Sequence, residues 1–177
     1  MNLESMPLSA ALAHRKSAVV KRWFDRMLQM YPESTTGFLA HEKDPFRNPI
    51  GHTLKESLST LFDGLIRPGD VAALAPALED IVRIRAVQDF TAGQAVAFPF
   101  LLKQILRTEF TADASRYPDE FAALESRIDE LALLAFDLYM KCRERVFEIR
   151  ANEAKRNSFI LERAQQKEQS NQQTKAR

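Results

Sequence analysis

Glycine is scarce in this chain, with 5 residues in 177, where average usage of about 7% would supply roughly 12. Glycine provides the positive φ that hairpin turns and Gly-rich loops need, so its scarcity argues against an all-β fold or one built on a glycine loop. Cysteine is nearly absent: Cys142 stands alone, which excludes an intramolecular disulfide and with it a stapled secreted scaffold. No apolar run approaches the ~18 residues that cross a bilayer; the most apolar stretch, residues 95–102, is far shorter. The opening MNLESMPLSAALAHRKSAVV has no basic segment followed by a continuous apolar one, so it does not read as a secretion signal. A cytoplasmic protein without membrane insertion is expected.

Chemical motifs are missing as well. His14, His41 and His52 share neither an i,i+4 spacing nor a Cys/His pattern, so no zinc site is expected. His41-Glu42 lacks the second histidine of a metalloprotease helix. There is no P-loop, no G-x-S-x-G and no dinucleotide-binding glycine pattern. Glu79 and Asp80 are adjacent on a helix, hence splayed by about 100°, and cannot act together as acid and base. An enzyme is therefore not expected, nor any cofactor. The net charge is +1 but uneven, because residues 141–177 hold 10 Lys/Arg against 5 Asp/Glu. The signs alternate along that stretch and no aromatic platform is interleaved, so it reads as a solvated helix face with no nucleic acid as partner.

What is present is helical punctuation. Hydrophobic residues make up 45% of the chain and charged ones 28%, which suits a folded globule. Leu12, Val19, Val20, Trp23, Met27 and Leu28 fall on one side of a helix from about Ser9 to Met30, which Tyr31-Pro32 ends. Asn48-Pro49 supplies an N-cap followed by proline at the first helical position. The helix it opens carries Leu54, Leu58, Leu61, Phe62, Leu65 and Ile66. Arg67-Pro68-Gly69-Asp70 is a turn whose aspartate can cap the next segment, and Pro76 opens a fresh turn there, ahead of Leu78, Ile81 and Val82. Thr91 and Gln94 have the spacing of a capping box. Pro99 lies inside the helix they start, where it strands the Ala95 carbonyl and bends the helix, either to suit packing or to widen a pocket bounded by Phe98, Pro99 and Phe100.

The last helix is expected from about Asp119 to Ala164, far beyond the usual ~11–12 residues. Leu131, Ala135, Leu138, Cys142, Val146 and Ile149 recur along it at spacings of 4, 3, 4, 4 and 3, close to a heptad seam, and are the candidate dimer seam. The expected organisation is a globule over residues 1–149, a polar helical extension over 150–168 and a disordered tail over 169–177. The fold class is an all-α bundle of five to six helices with a long projecting C-terminal helix. A second candidate site lies at the corner between two helices, where Arg83, Arg85, Asp89 and Gln94 either brace the turn or bind a carboxylate or phosphate.

DPFRNPIG at 44–51, LFDGLI at 61–66, and ALEDIVRIRAVQDFT at 77–91 with QAVAF at 94–98 resemble the N-terminal domain of RsbRD-type RsbT co-antagonists over about residues 10–150. The resemblance implies a globin-like, haem-free sensor domain that pairs as a dimer. In the family such a domain passes its signal through a C-terminal helix to a STAS domain of the stressosome, in a general stress response. A haem-binding globin needs a proximal histidine late in the chain, and none follows His52. The chain ends at 177 without room for a STAS domain of roughly 100 residues. The expectation is thus a stand-alone sensor or adaptor that forms a homodimer and reaches a separate signalling protein through its C-terminal helix. Its ligand is unidentified, and the alternative is a carrier for an apolar or anionic small molecule.

Overall fold

The computed structural model describes residues 7–31, 37, 39, 44, 46–88 and 90–175, with side chains as far as Ile160 and at Arg163. These residues form eight α-helices and one short 3-10 segment, and no strand occurs among them. In chain order they are α1 (Leu8–His14), α2 (Lys16–Leu28), α3 (Pro49–Ile66), the 3-10 segment Val71–Leu74, α4 (Ala75–Ala86), α5 (Ala92–Val96), α6 (Phe98–Glu109), α7 (Thr111–Arg116) and α8 (Pro118–Lys175). The fold is all-α with a long C-terminal helix.

Local chemistry explains most of these boundaries. The Asn48 side chain accepts from the Gly51 amide at 2.9 Å, and Pro49 occupies the first turn of α3. Asp70 accepts from the Ala72 amide at 2.8 Å and so starts the 3-10 segment. The capping box at α5 is complete: the Gln94 amide donates to Thr91 Oγ1 at 3.3 Å, and the Thr91 amide to Gln94 Oε1 at 3.0 Å. The last helix begins at Pro118 rather than Asp119, and Asp119 and Glu120 lie in its first turn, where carboxylates suit the helix dipole. It continues to Lys175, past the expected end at Ala164.

Two helices expected as continuous are broken, which accounts in part for the larger helix count. The segment from Ser9 divides at Arg15, whose backbone leaves the α region at φ −98°, ψ 7°. No proline or glycine causes this break. The bend accompanies tertiary contacts of Arg15, whose guanidinium lies 4.7 Å from the centre of the Phe110 ring and donates to the Glu109 carbonyl at 3.3 Å. The second break, at Ala97, is the bend set by Pro99, and it separates α5 from α6.

The helices close a ring around one core: α2 packs on α3, α3 on α4, α4 on α8, α8 on α6, and α6 back on α2. Trp23, Phe62, Phe98, Phe110, Leu58, Ile128 and Leu131 are fully buried inside it. Each such side chain stabilises the fold by about 1.5–3 kcal/mol. Trp23 Nε1 donates to the Phe98 carbonyl at 2.6 Å and its ring stacks on Phe98, which joins α2 to the start of α6. At the rim, Lys103 pairs with Asp129 at 2.8 Å, and Arg107 grips Glu125 through both Nε and Nη2, setting the register of α6 along α8.

Candidate functional site

The corner between α4 and α5 is organised by Arg85, which has no exposed surface. Its Nε donates to the Ala95 carbonyl and its Nη2 to the Gln94 carbonyl, each at 2.8 Å. Its guanidinium lies 4.3 Å from the Phe90 ring centre and 5.4 Å from that of Tyr31. Burial pulls its pKa below the ordinary arginine value, with the Tyr31 hydroxyl opposing that shift. Burial likewise raises Tyr31. Among the described residues no carboxylate pairs with Arg85; carbonyl dipoles and aromatic faces solvate it instead.

The four residues named for this corner part company. Arg83 is exposed and paired with Glu79 at 2.7 Å, one turn back on α4. Arg85 is sealed beneath the corner, and Gln94 closes the capping box with its side chain while its carbonyl receives Arg85. Asp89 lies outside the described residues. The two arginines are not brought together, and the arrangement braces a helix corner.

The expected pocket at Phe98, Pro99 and Phe100 is not assembled either. Phe98 and Pro99 are buried in the core, whereas Phe100 is 44% exposed on the outer face of α6. An open groove of about 770 Å³ lies between α2 and α3, lined by Val20, Phe24, Lys16, Lys21 and Lys55 among others. His14 also borders it, His52 pairs with Glu56 at 3.2 Å, and His41 lies outside the described residues. No group of three or more His, Cys, Asp or Glu gathers to hold a metal among the described residues. No helix there is long and apolar enough to cross a membrane.

Helix α8 carries two apolar stripes. Of the expected seam, Leu131 and Ala135 are fully buried in the chain's own core, so they belong to the globule. Leu138, Cys142 and Val146 are half-buried and Ile149 is 52% exposed. Leu138 and Cys142 still pack against the edge of the core, and Val146 and Ile149 continue the line past it, beside the C-terminal end of α4. Burial and the neighbouring Glu79 carboxylate push the Cys142 thiol pKa up. The second stripe is Leu133, Phe136, Met140 and Phe147, all exposed, with Leu133 at 70% and Phe147 at 74%. At 100° per residue it lies roughly 150° around the helix from the first. The ion pairs Lys103–Asp129 and Arg107–Glu125 fix α6 alongside α8, and one further turn of that register brings exposed Phe100 level with Leu133. The sequence held the signal for this second stripe in the 3- and 4-residue steps from Leu133 to Met140, but spacing alone cannot say which of two stripes the globule covers.

The RsbT co-antagonist protein rsbRD N-terminal domain matches residues 17–154. This chain belongs to that family. At the level of the family it is a stressosome-related, regulatory sensor domain. An uncharacterised protein of Archaeoglobus fulgidus is 26% identical over 139 residues, covering 78% of this chain and 83% of the relative. No solved structure matches the chain.

Proposed function

We propose that this chain is a haem-free, globin-like sensor or adaptor domain that works as a homodimer, with the outward stripe of α8 as the pairing face. One observation carries the reading: five large apolar side chains, Phe100, Leu133, Phe136, Met140 and Phe147, stand exposed at the surface of α6 and α8. Leaving such a patch in water is unfavourable, and contiguous patches of this kind mark association sites. Leu133, Met140 and Phe147 follow one another at seven-residue intervals, the spacing by which one helix meets another. An antiparallel crossing at Met140 sets Leu133 against Phe147 of a second copy, so the apolar stripe can meet its own copy. The function is signal relay through protein contacts, in line with the regulatory family, and the signal leaves along α8.

Molar mass in solution by light scattering tests this on the full chain and on Leu133→Asp and Phe147→Asp. Both positions are exposed, so the fold survives substitution, while a charge facing an apolar partner weakens pairing by tenfold or more. A dimer that both variants shift to monomer is the expected result. A wild-type monomer at micromolar concentration overturns the reading.

A further inference from the structure

The core-facing stripe of α8 does not end where the globule ends. Beyond Leu131 and Ala135 it runs out through Leu138, Cys142, Val146 and Ile149, alongside the last turn of α4 and the 64% exposed Val87. Together these form an open groove of about 510 Å³ with an apolar floor. The two walls differ in charge. On the α4 wall Arg83 is neutralised by Glu79. On the α8 wall Lys141 and Arg145 line the groove, and no carboxylate pairs with either among the described residues. The walls are held in place by Arg143, whose Nη1 donates to the Ala86 carbonyl at 3.1 Å and ties the two helices together.

We propose that this groove seats an amphipathic helix of a partner protein, with apolar residues on the floor and carboxylates along the edge that meets Lys141 and Arg145. The occupant is helical because both walls are helices whose side-chain ridges accept a third, and the described residues offer no sheet edge for an added strand. The floor from Leu138 to Ile149 spans about 16 Å at 1.5 Å per residue, the length of three helical turns. It is acidic along one edge because the groove presents two cations, Lys141 and Arg145, with which no carboxylate pairs among the described residues. The inference rests on reading α8 as the interacting helix, but it uses the face opposite the one that joins two copies.

The test titrates the isotope-labelled full chain with a synthetic sixteen-residue helical peptide, leucine on one face and glutamate along one edge, and follows amide shifts by NMR. A second peptide carries lysine in place of each glutamate. Saturable binding of the acidic peptide is expected, with shifts at Leu138, Cys142, Val146 and Ile149. The double variant Lys141→Glu/Arg145→Glu should weaken it at least tenfold and admit the lysine peptide instead, while its circular dichroism and molar mass match the wild type. Absence of saturable binding at millimolar peptide overturns the proposal, as do shifts confined to Leu133 and Phe147 or an affinity indifferent to charge reversal. Loss of the dimer in the double variant overturns it differently, by showing that a second copy fills the groove. A wild-type monomer that still binds the acidic peptide refutes the pairing reading alone.

Discussion

Arg85 stands in for a backbone donor that Pro99 lacks. In an unbroken helix the amide of residue 99 would bond to the Ala95 carbonyl; proline has none, and Arg85 Nε fills that position at 2.8 Å. The neighbouring Gln94 carbonyl, which has only a long 3.5 Å bond from the Ala97 amide, takes Arg85 Nη2 at the same 2.8 Å. One buried side chain thereby bonds two carbonyls at a bend, and these contacts offset the burial of the cation where no carboxylate pairs with it among the described residues.

Replacing Arg85 by Met should lower unfolding stability by about 2 kcal/mol, since the buried Ala95 carbonyl loses its side-chain donor and the part-buried Gln94 carbonyl loses its shorter bond. Arg83→Ala, which removes only an exposed ion pair, should change it by less than about 1 kcal/mol. Pro99→Ala restores an amide for the Ala95 carbonyl, so it should offset part of the Arg85→Met loss. Urea unfolding of the two single variants and the double variant gives the coupling, expected at about 1 kcal/mol. Strict additivity would mean that Arg85 and Pro99 do not share the Ala95 carbonyl.

Acid should weaken the seam between α6 and α8. The Arg107 guanidinium, bonded through Nε and Nη2, holds the Glu125 carboxyl below the usual carboxylate range. A depressed acid contributes stability above its unfolded pKa and loses it as pH falls through the folded value. Urea midpoints should therefore decline on acidification through and below the ordinary glutamate range. Glu125→Gln should flatten that part of the decline; an unchanged acid limb would show that the pair contributes nothing to folding.

The single thiol offers a direct view of the groove. Burial, then the Glu79 carboxylate, raises the Cys142 pKa, so little thiolate forms near neutral pH. Cys142 should react with a disulfide reagent several-fold more slowly than free cysteine, and faster as pH rises. Glu79→Gln removes a repelling charge and releases Arg83 from its ion pair, so it should speed the reaction. A rate equal to that of free cysteine would place the thiol in open solvent.

Helix identity was legible because its determinants are local. Asn48-Pro49, Asp70 and the Thr91/Gln94 box act on amides within three residues, and Pro99 removes a donor wherever it stands. The all-α class and the long final helix followed from the same local rules and from the apolar spacing. Tertiary structure decided what spacing leaves open. The break at Arg15 has no local cause, because the contacts that accompany it come from Glu109 and Phe110, more than ninety residues away. The two arginines of the corner look alike in sequence, yet one position on α4 faces the core and the other faces water. On α8 both apolar stripes obey helical periodicity, and only the packing of α4 and α6 against one side determines which residues are core, which line a groove and which stand exposed.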